Sequence, residues 1–108
     1  MAYYMVQAAY TAEAIAAMVK KPEDRVSAIA PVVEKLGGKL VGMWFSFGEY
    51  DVVGIAEMPD NVSAAAFAFA ISQGGKLRSA KTTPLLTSAE AIKALKKAGG
   101  AGYRPPGA

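Results

Sequence analysis

The 108-residue sequence contains no cysteine and no histidine. These absences exclude disulfides, thiolate nucleophiles, imidazole acid–base catalysis and metal sites built from either side chain. No run approaches the roughly 18 to 20 apolar residues that span a bilayer, and the amino terminus lacks the basic start of a signal peptide. A phosphate-binding loop, a calcium-binding loop and a nucleophile elbow are also missing. We therefore expect a cytoplasmic protein with no membrane partner, no metal and no cofactor.

Hydrophobic residues make up 53% of the chain and charged residues 19%, which fits one compact domain. The net charge of +3 is unevenly distributed. Residues 1–75 carry 5 basic and 8 acidic side chains, whereas residues 76–108 carry 7 basic and 1 acidic. The basic part either meets an anionic partner or places Lys93, Lys96 and Lys97 at the carboxyl end of a helix, where cations are favourable.

Apolar periodicity and turn residues predict four strands and four helices. The strands are expected over residues 2–10, 39–47, 50–58 and 76–86, and the helices over residues 12–20, 22–36, 62–73 and 87–98. Only Gly48 and Glu49 separate the second and third strands, which predicts a two-residue hairpin turn. Thr87 and Glu90 match a capping box at the start of the last helix.

This order of elements is typical of an α+β, ferredoxin-like βαββαβ fold with a four-stranded antiparallel sheet and an extra carboxyl-terminal helix. We expect one domain over residues 1–98 and a tail rich in glycine and proline over residues 99–108. The helices of such a fold cover one face of the sheet, while the central hairpin has apolar residues for both faces. A second sheet would cover the other face, so the sequence predicts a homodimer or a larger homo-oligomer. The uncharged helix over 62–73 is expected to contact another subunit or the carboxyl-terminal segment.

The hairpin and its surroundings resemble the GYD domain family of bacteria and archaea, which is named for a Gly, Tyr, Asp signature. The signature stands here as Gly48-Glu49-Tyr50-Asp51, with one residue inserted after the glycine. Further resemblance lies in residues 4–7 with 10–11, 59–65 and 81–87. It covers nearly the whole chain and implies a dimeric α/β barrel built from ferredoxin-like subunits. The family brings no established activity.

Two carboxylates and a phenol surround the predicted turn. Glu49, Tyr50 and Asp51 are the candidate catalytic residues, because a carboxylate desolvated by the Tyr50 ring could serve as a general base. The alternative is structural: Gly48 makes the turn, Asp51 accepts from local backbone N–H groups and Tyr50 packs. The acidic turn also argues against nucleic acid, since ferredoxin-like RNA-binding domains present a basic, aromatic run.

A small organic ligand is the other site predicted from the fold, since related dimeric barrels commonly hold one between the sheet and the helices. Tyr3 or Tyr4, Gln7, Trp44 and Phe67 are the candidates to line that space, although aromatic side chains fill cores by default. Side chains that could bind an organic or anionic ligand are Trp44, Gln7, Ser46, Arg78, Lys81 and Thr82. Charges on the last strand could equally protect a sheet edge from aggregation.

Two functions are compatible with the sequence. The first is a homo-oligomeric α/β barrel that binds an organic ligand, with cofactor-free oxygenase or isomerase chemistry as its catalytic form by analogy of fold. The second is a non-catalytic regulatory or protein-interaction module. A pocket lined by Trp44 near a perturbed Asp51 or Glu57 would favour the first, and a cleft filled by the chain's own side chains would favour the second.

Overall fold

The computed structural model describes residues 1–107, and this part of the chain follows the predicted order of elements. Strand β1 comprises Ala2–Tyr10, β2 Lys39–Phe45, β3 Val52–Met58 and β4 Leu77–Leu85. Helix α1 comprises Ala12–Lys20, α2 Arg25–Lys35, α3 Asn61–Ser72 and α4 Ser88–Gly99. Residues 100–107 contain neither a helix nor a strand.

The strands form one antiparallel sheet in the order β2-β3-β1-β4. Strand β1 is central, with Gln7 opposite Val53 of β3 on one side and opposite Lys81 of β4 on the other. Strands β2 and β4 are the edges. This topology confirms the predicted α+β, ferredoxin-like fold.

Alternation along the strands places one set of side chains against the helices. In β1 these are Tyr4, Val6 and Ala8, which lie on the face covered by α2 and α3. The main core cluster consists of Tyr4, Val33, Ala56, Met58, Ala64 and Phe67. A second cluster, which includes α1, consists of Ala8, Tyr10, Ala14 and Val52. Both clusters draw on the same face of β1, so that strand joins the two parts of the core.

The helices begin at polar caps that the sequence displays. The Asp24 carboxylate accepts from the backbone N–H of Val26 at 3.0 Å, so α2 begins at Arg25 and not at residue 22 as predicted. The side chain of Asp60 caps α3 in the same way, through Ser63 N–H at 2.7 Å. The predicted capping box is confirmed, because Thr87 and Glu90 exchange hydrogen bonds of 2.9 and 3.1 Å. These bonds to Thr87 lower the pKa of the Glu90 carboxyl.

The prediction of a two-residue hairpin turn is wrong. Strand β2 ends at Phe45 and β3 begins at Val52, so a loop of residues 46–51 connects them. The backbone of Asp51 donates to the carbonyl oxygen of Ala8 in β1 at 2.9 Å, and the Ser46 hydroxyl donates to the carbonyl oxygen of Tyr50 at 2.9 Å. These bonds close the loop on itself and fasten it to β1.

The sheet face opposite α2 and α3 is open to solvent; we call it the open face. It carries the half-buried side chains of Met5, Val53 and Ile55 and the indole of Trp44, which is 54% exposed. Helix α4 likewise leaves Leu95 71% exposed. The described chain therefore has apolar surface that its own elements do not cover.

Helix α3 also has an uncovered side. Val62 and Phe69 are 78% and 75% exposed, so the carboxyl-terminal segment does not bury these two side chains. Contact of α3 with another subunit stays a prediction. Although α3 carries no charge, no helix within residues 1–107 has the length and apolar character needed to cross a bilayer.

Gly38 lies between α2 and β2, where the backbone passes close to β3. A substitution at this position tests that close approach. An alanine there would place its β-carbon 2.4 Å from the carbonyl oxygen of Glu57 and 2.4 Å from the sulfur of Met58. Because the first contact is with backbone in an inner strand, we expect Gly38→Ala to lower the free energy of unfolding by about 1–3 kcal/mol in urea denaturation. Gly74→Ala is the control, since its β-carbon meets nothing within 4 Å. Equal stability of the two variants would contradict the close approach.

Candidate functional site

A cavity of about 570 Å³ lies between the sheet and the helices α2 and α3. Its size falls within the range of about 300–1,000 Å³ that is usual for small-molecule sites. The sheet contributes Val6, Ala8, Leu40, Val52 and Ala56, and the helices contribute Ile29, Val32, Phe67, Ala70 and Ile71. The lining is therefore mainly apolar, which suits a ligand with an apolar body.

The polar side chains of the lining gather at one end of this cavity. Arg25 is the first residue of α2, and Gln73 and Lys76 follow α3 just before β4. Leu77 pairs with Tyr10 at the end of β1, and the backbone N–H of residue 11 donates to the carbonyl oxygen of Lys76 at 2.9 Å. Helix α2 packs along β2 and runs antiparallel to it, so the carboxyl end of α2 lies near Lys39 and its amino end lies near Phe45. Its first residue therefore lies at the same end of the sheet; we call this end the mouth.

Both cations at the mouth have acidic neighbours on the surface. The Arg25 guanidinium lies 2.9 Å from a carboxylate oxygen of Glu23, and the Lys76 ammonium donates to the carboxylate of Glu13. The hydrogen bond from Lys76 and its charge lower the pKa of the Glu13 carboxyl. The Glu13 and Glu23 side chains are 78% and 54% exposed, so water and salt screen both pairs.

The predicted lining residues divide between the two faces of the sheet. Phe67 lines the cavity, as expected. Tyr4 faces the same side but is buried in the core, where its hydroxyl donates to Oδ1 of Asn61 at 2.5 Å. Tyr3, Gln7 and Trp44 lie on the open face, because their strand positions have the opposite parity. A site on the helix side therefore cannot include them.

Trp44 is an exposed large hydrophobic residue on the open face. A β-carbon at Gly42 would lie 2.5 Å from Cη2 of the indole, so the ring lies flat over Gly42 along β2. Gly42 pairs with Ile55 and Trp44 pairs with Val53, which places the ring beside the apolar centre of the sheet. The indole can therefore stack on another surface or an aromatic ligand. The sequence pattern did not single out Gly42, although a glycine inside a strand signals a close approach.

The candidate catalytic residues lie in the loop over 46–51. Gly48 has a φ of +130°, which favours glycine, and Glu49 is exposed at its tip. The carboxylate of Asp51 accepts from the backbone N–H of Tyr10 at 2.8 Å, and the backbone carbonyl of Asp51 accepts from Ser46 at 2.8 Å. Asp51 thus joins the loop to the end of β1. This bond fits the structural alternative for Asp51. The N–H group that it binds belongs to Tyr10, which is distant in sequence, and not to the neighbouring loop residues as expected.

The predicted anion-binding residues do not form one cluster. Lys81 pairs with Gln7 on the open face, whereas Thr82 pairs with Val6 on the side of the helices. The Arg78 guanidinium donates to the backbone carbonyl of Glu49 at 3.3 Å. Arg78 therefore supports the loop, and an anion cannot contact Lys81 and Thr82 on one face.

Tyr3 and Glu57 face each other across β1 and β3 on the open face. A hydrogen bond with the Glu57 carboxylate, together with its negative charge, raises the pKa of the Tyr3 phenol. The phenol therefore keeps its proton to higher pH than a free tyrosine does. The carboxylates within the described range do not gather into groups of three or more that could hold a metal.

The fold and the cavity together define a small ferredoxin-like α+β protein with a space between its sheet and its helices. The GYD domain model matches residues 4–95, so the chain belongs to the GYD domain family.

Two solved structures are similar in fold. An uncharacterized NIPSNAP domain protein from Burkholderia xenovorans has a TM-score of 0.53 and 18% sequence identity, over 82% of this chain and 96% of that chain. The crystal structure of FFRP-DM1 has a TM-score of 0.49 and 13% identity, over 80% of this chain and 100% of that chain. None of the curated proteins matches the sequence.

The structural role of Asp51 can be measured directly. Asp51→Asn replaces a charge-assisted hydrogen bond to Tyr10 N–H with a neutral one, so we expect the free energy of unfolding to fall by about 1 kcal/mol. Thermal and urea denaturation at neutral pH measure this loss. Glu49→Gln, which removes the same charge at the exposed tip of the loop, is the control and should leave stability within about 0.5 kcal/mol. Unchanged stability of Asp51→Asn would show that Asp51 does not hold the loop.

Proposed function

We propose that this chain is a homo-oligomeric binding protein that takes up a small, largely apolar organic molecule in the cavity between its sheet and the helices α2 and α3. The observation that carries the proposal is the cavity itself, with about 570 Å³ of space and a mainly apolar lining. A cleft of this size, with a buried apolar floor and an opening to solvent, is the usual form of a small-molecule site.

The composition of the lining supports binding more than catalysis. Tyr10, Arg25, Gln73 and Lys76 are its polar members, and no carboxylate is among the described residues that line it. Asp51, the candidate general base, is instead hydrogen-bonded to the backbone of Tyr10. An interaction module would fill this cleft with its own side chains, so the open cavity also favours ligand binding over that alternative.

Ligand uptake can be tested with N-phenyl-1-naphthylamine, an uncharged probe whose fluorescence rises in apolar surroundings. We expect the protein to enhance its emission with saturation at micromolar concentration. Ala70→Phe adds a ring inside the cavity and should weaken binding at least tenfold, because the space for the probe is lost.

Ala65→Phe is the matched control for this experiment. Ala65 lies on the same helix but is exposed and outside the cavity lining, so the added ring should leave probe binding unchanged. Thermal denaturation of both variants verifies that each is folded. Absence of binding to the parent protein, or equal binding by Ala70→Phe and Ala65→Phe, would overturn the proposed site.

The homo-oligomer is the second part of the proposal, and the open face supports it. Met5, Val53 and Ile55 form its apolar centre, with the exposed indole of Trp44 at its edge. Two such sheets packed face to face would bury this surface on both copies at once. We therefore propose a dimer in which the open faces meet.

Because Trp44 is the one tryptophan of the chain, its fluorescence reports on this contact. Dilution from micromolar to low nanomolar concentration should shift the emission to longer wavelength as the indole becomes exposed to water. Light scattering at micromolar concentration should give the mass of a dimer for the parent protein and of a monomer for Trp44→Lys.

Phe69→Lys provides the comparison, since Phe69 is 75% exposed on α3 and lies away from the open face. This variant should remain a dimer. A monomeric parent protein, or dissociation by Phe69→Lys instead of Trp44→Lys, would overturn the proposed interface.

A further inference from the structure

We infer that the ligand of the cavity is a monoanionic amphiphile, an apolar chain or ring with a single carboxylate that lies at the mouth between Arg25 and Lys76. This inference rests on the proposed function and adds the chemical class and the orientation of the ligand. It is carried by the separation of polar and apolar side chains along the cavity.

The inner part of the cavity is apolar and well ordered by packing. Val33, Ala56 and Phe67 line it and are among the most buried residues of the chain, with 0%, 4% and 7% exposure. A charged group placed there would lose its hydration without a partner. The apolar part of the ligand therefore occupies this region.

The mouth has the opposite character. Arg25 and Lys76 bring two positive charges and several N–H donors to the lining, and Gln73 adds an amide. A cationic head group would meet these charges unfavourably, and a neutral one would form weaker hydrogen bonds with them than a carboxylate does. A carboxylate accepts from both cations through charge-assisted hydrogen bonds.

Other charges near the mouth are compatible with this arrangement. Glu23 and Glu13 pair with Arg25 and Lys76, but both carboxylates are exposed to water and neither lines the cavity. Each cation retains donors that its acidic partner does not use, because a guanidinium has five and an ammonium three. The amino end of α2 and the carboxyl end of α3 both lie here, and their dipoles oppose each other. The helix ends therefore favour neither sign of charge, and the preference for a carboxylate rests on the N–H donors that Arg25 and Lys76 retain.

The experiment compares decanoate with 1-decanol as competitors of N-phenyl-1-naphthylamine, each below its limit of solubility or micelle formation. Both have the same alkyl chain, and the alcohol is the more hydrophobic of the two. We expect decanoate to displace the probe at about tenfold lower concentration. Arg25→Gln and Lys76→Gln should each reduce this preference several-fold while leaving displacement by 1-decanol unchanged.

Lys97→Gln is the matched control, because it removes one positive charge from the last turn of α4, outside the cavity lining, and should leave the preference intact. Equal displacement by decanoate and 1-decanol would overturn the inference and leave the proposed cavity standing. Loss of the preference in Lys97→Gln would also overturn it, because the net charge of the protein and not the mouth would then select the carboxylate. Failure of the neutral probe to bind would instead contradict the proposed function itself, so the two failures are distinguishable.

Discussion

The rest of the structure depends on the central position of β1, which is hydrogen-bonded to β3 on one side and to β4 on the other. Because alternate residues of a strand face opposite sides, β1 gives Val6 and Ala8 to the cavity and Tyr3 and Gln7 to the open face. The cavity and the open face therefore share one backbone. A ligand on one side and a partner on the other would therefore contact the same strand.

The loop of residues 46–51 belongs to this arrangement. Asp51 bonds through its carboxylate to Tyr10 and through its backbone to Ala8, and Arg78 of β4 donates to the backbone of Glu49. The signature of the family thus joins the end of β1 to the β2–β3 connection and to the start of β4. An aspartate that accepts a backbone N–H contributes most when it stays charged and fixed, whereas a general base must exchange its proton with a substrate. The hydrogen bonds therefore favour a structural role for this residue.

The sequence was sufficient for the fold because its signals are local. Alternation, glycine stops and caps such as Asp60 and Thr87 set the order of the elements, and their boundaries differ from those predicted by a few residues. The loop was mispredicted because its conformation depends on bonds to β1, which is distant in sequence. The space between the sheet and the helices was expected from the fold, but its lining could be predicted only in part for the same reason. Whether the odd-numbered or the even-numbered residues of β1 face the helices depends on tertiary packing. Phe67 lines the cavity as expected, but Gln7 and Trp44, which were also expected there, lie on the open face.

The basic residues after residue 75 do not form one patch in this architecture. They lie in separate places and have different roles. Arg78 supports the loop, Lys81 lies on the open face, and Lys96 and Lys97 stand in the last turn of α4, where they complement the helix dipole. Lys76 differs from these because it borders an apolar cavity. Its side chain is exposed and paired with Glu13, so water and salt weaken its charge at a distance and it acts mainly on groups that lie close to it. Lys76 is therefore the member of the basic excess best placed to act on a group in the cavity, where Arg25, from the earlier part of the chain, adds a second positive charge.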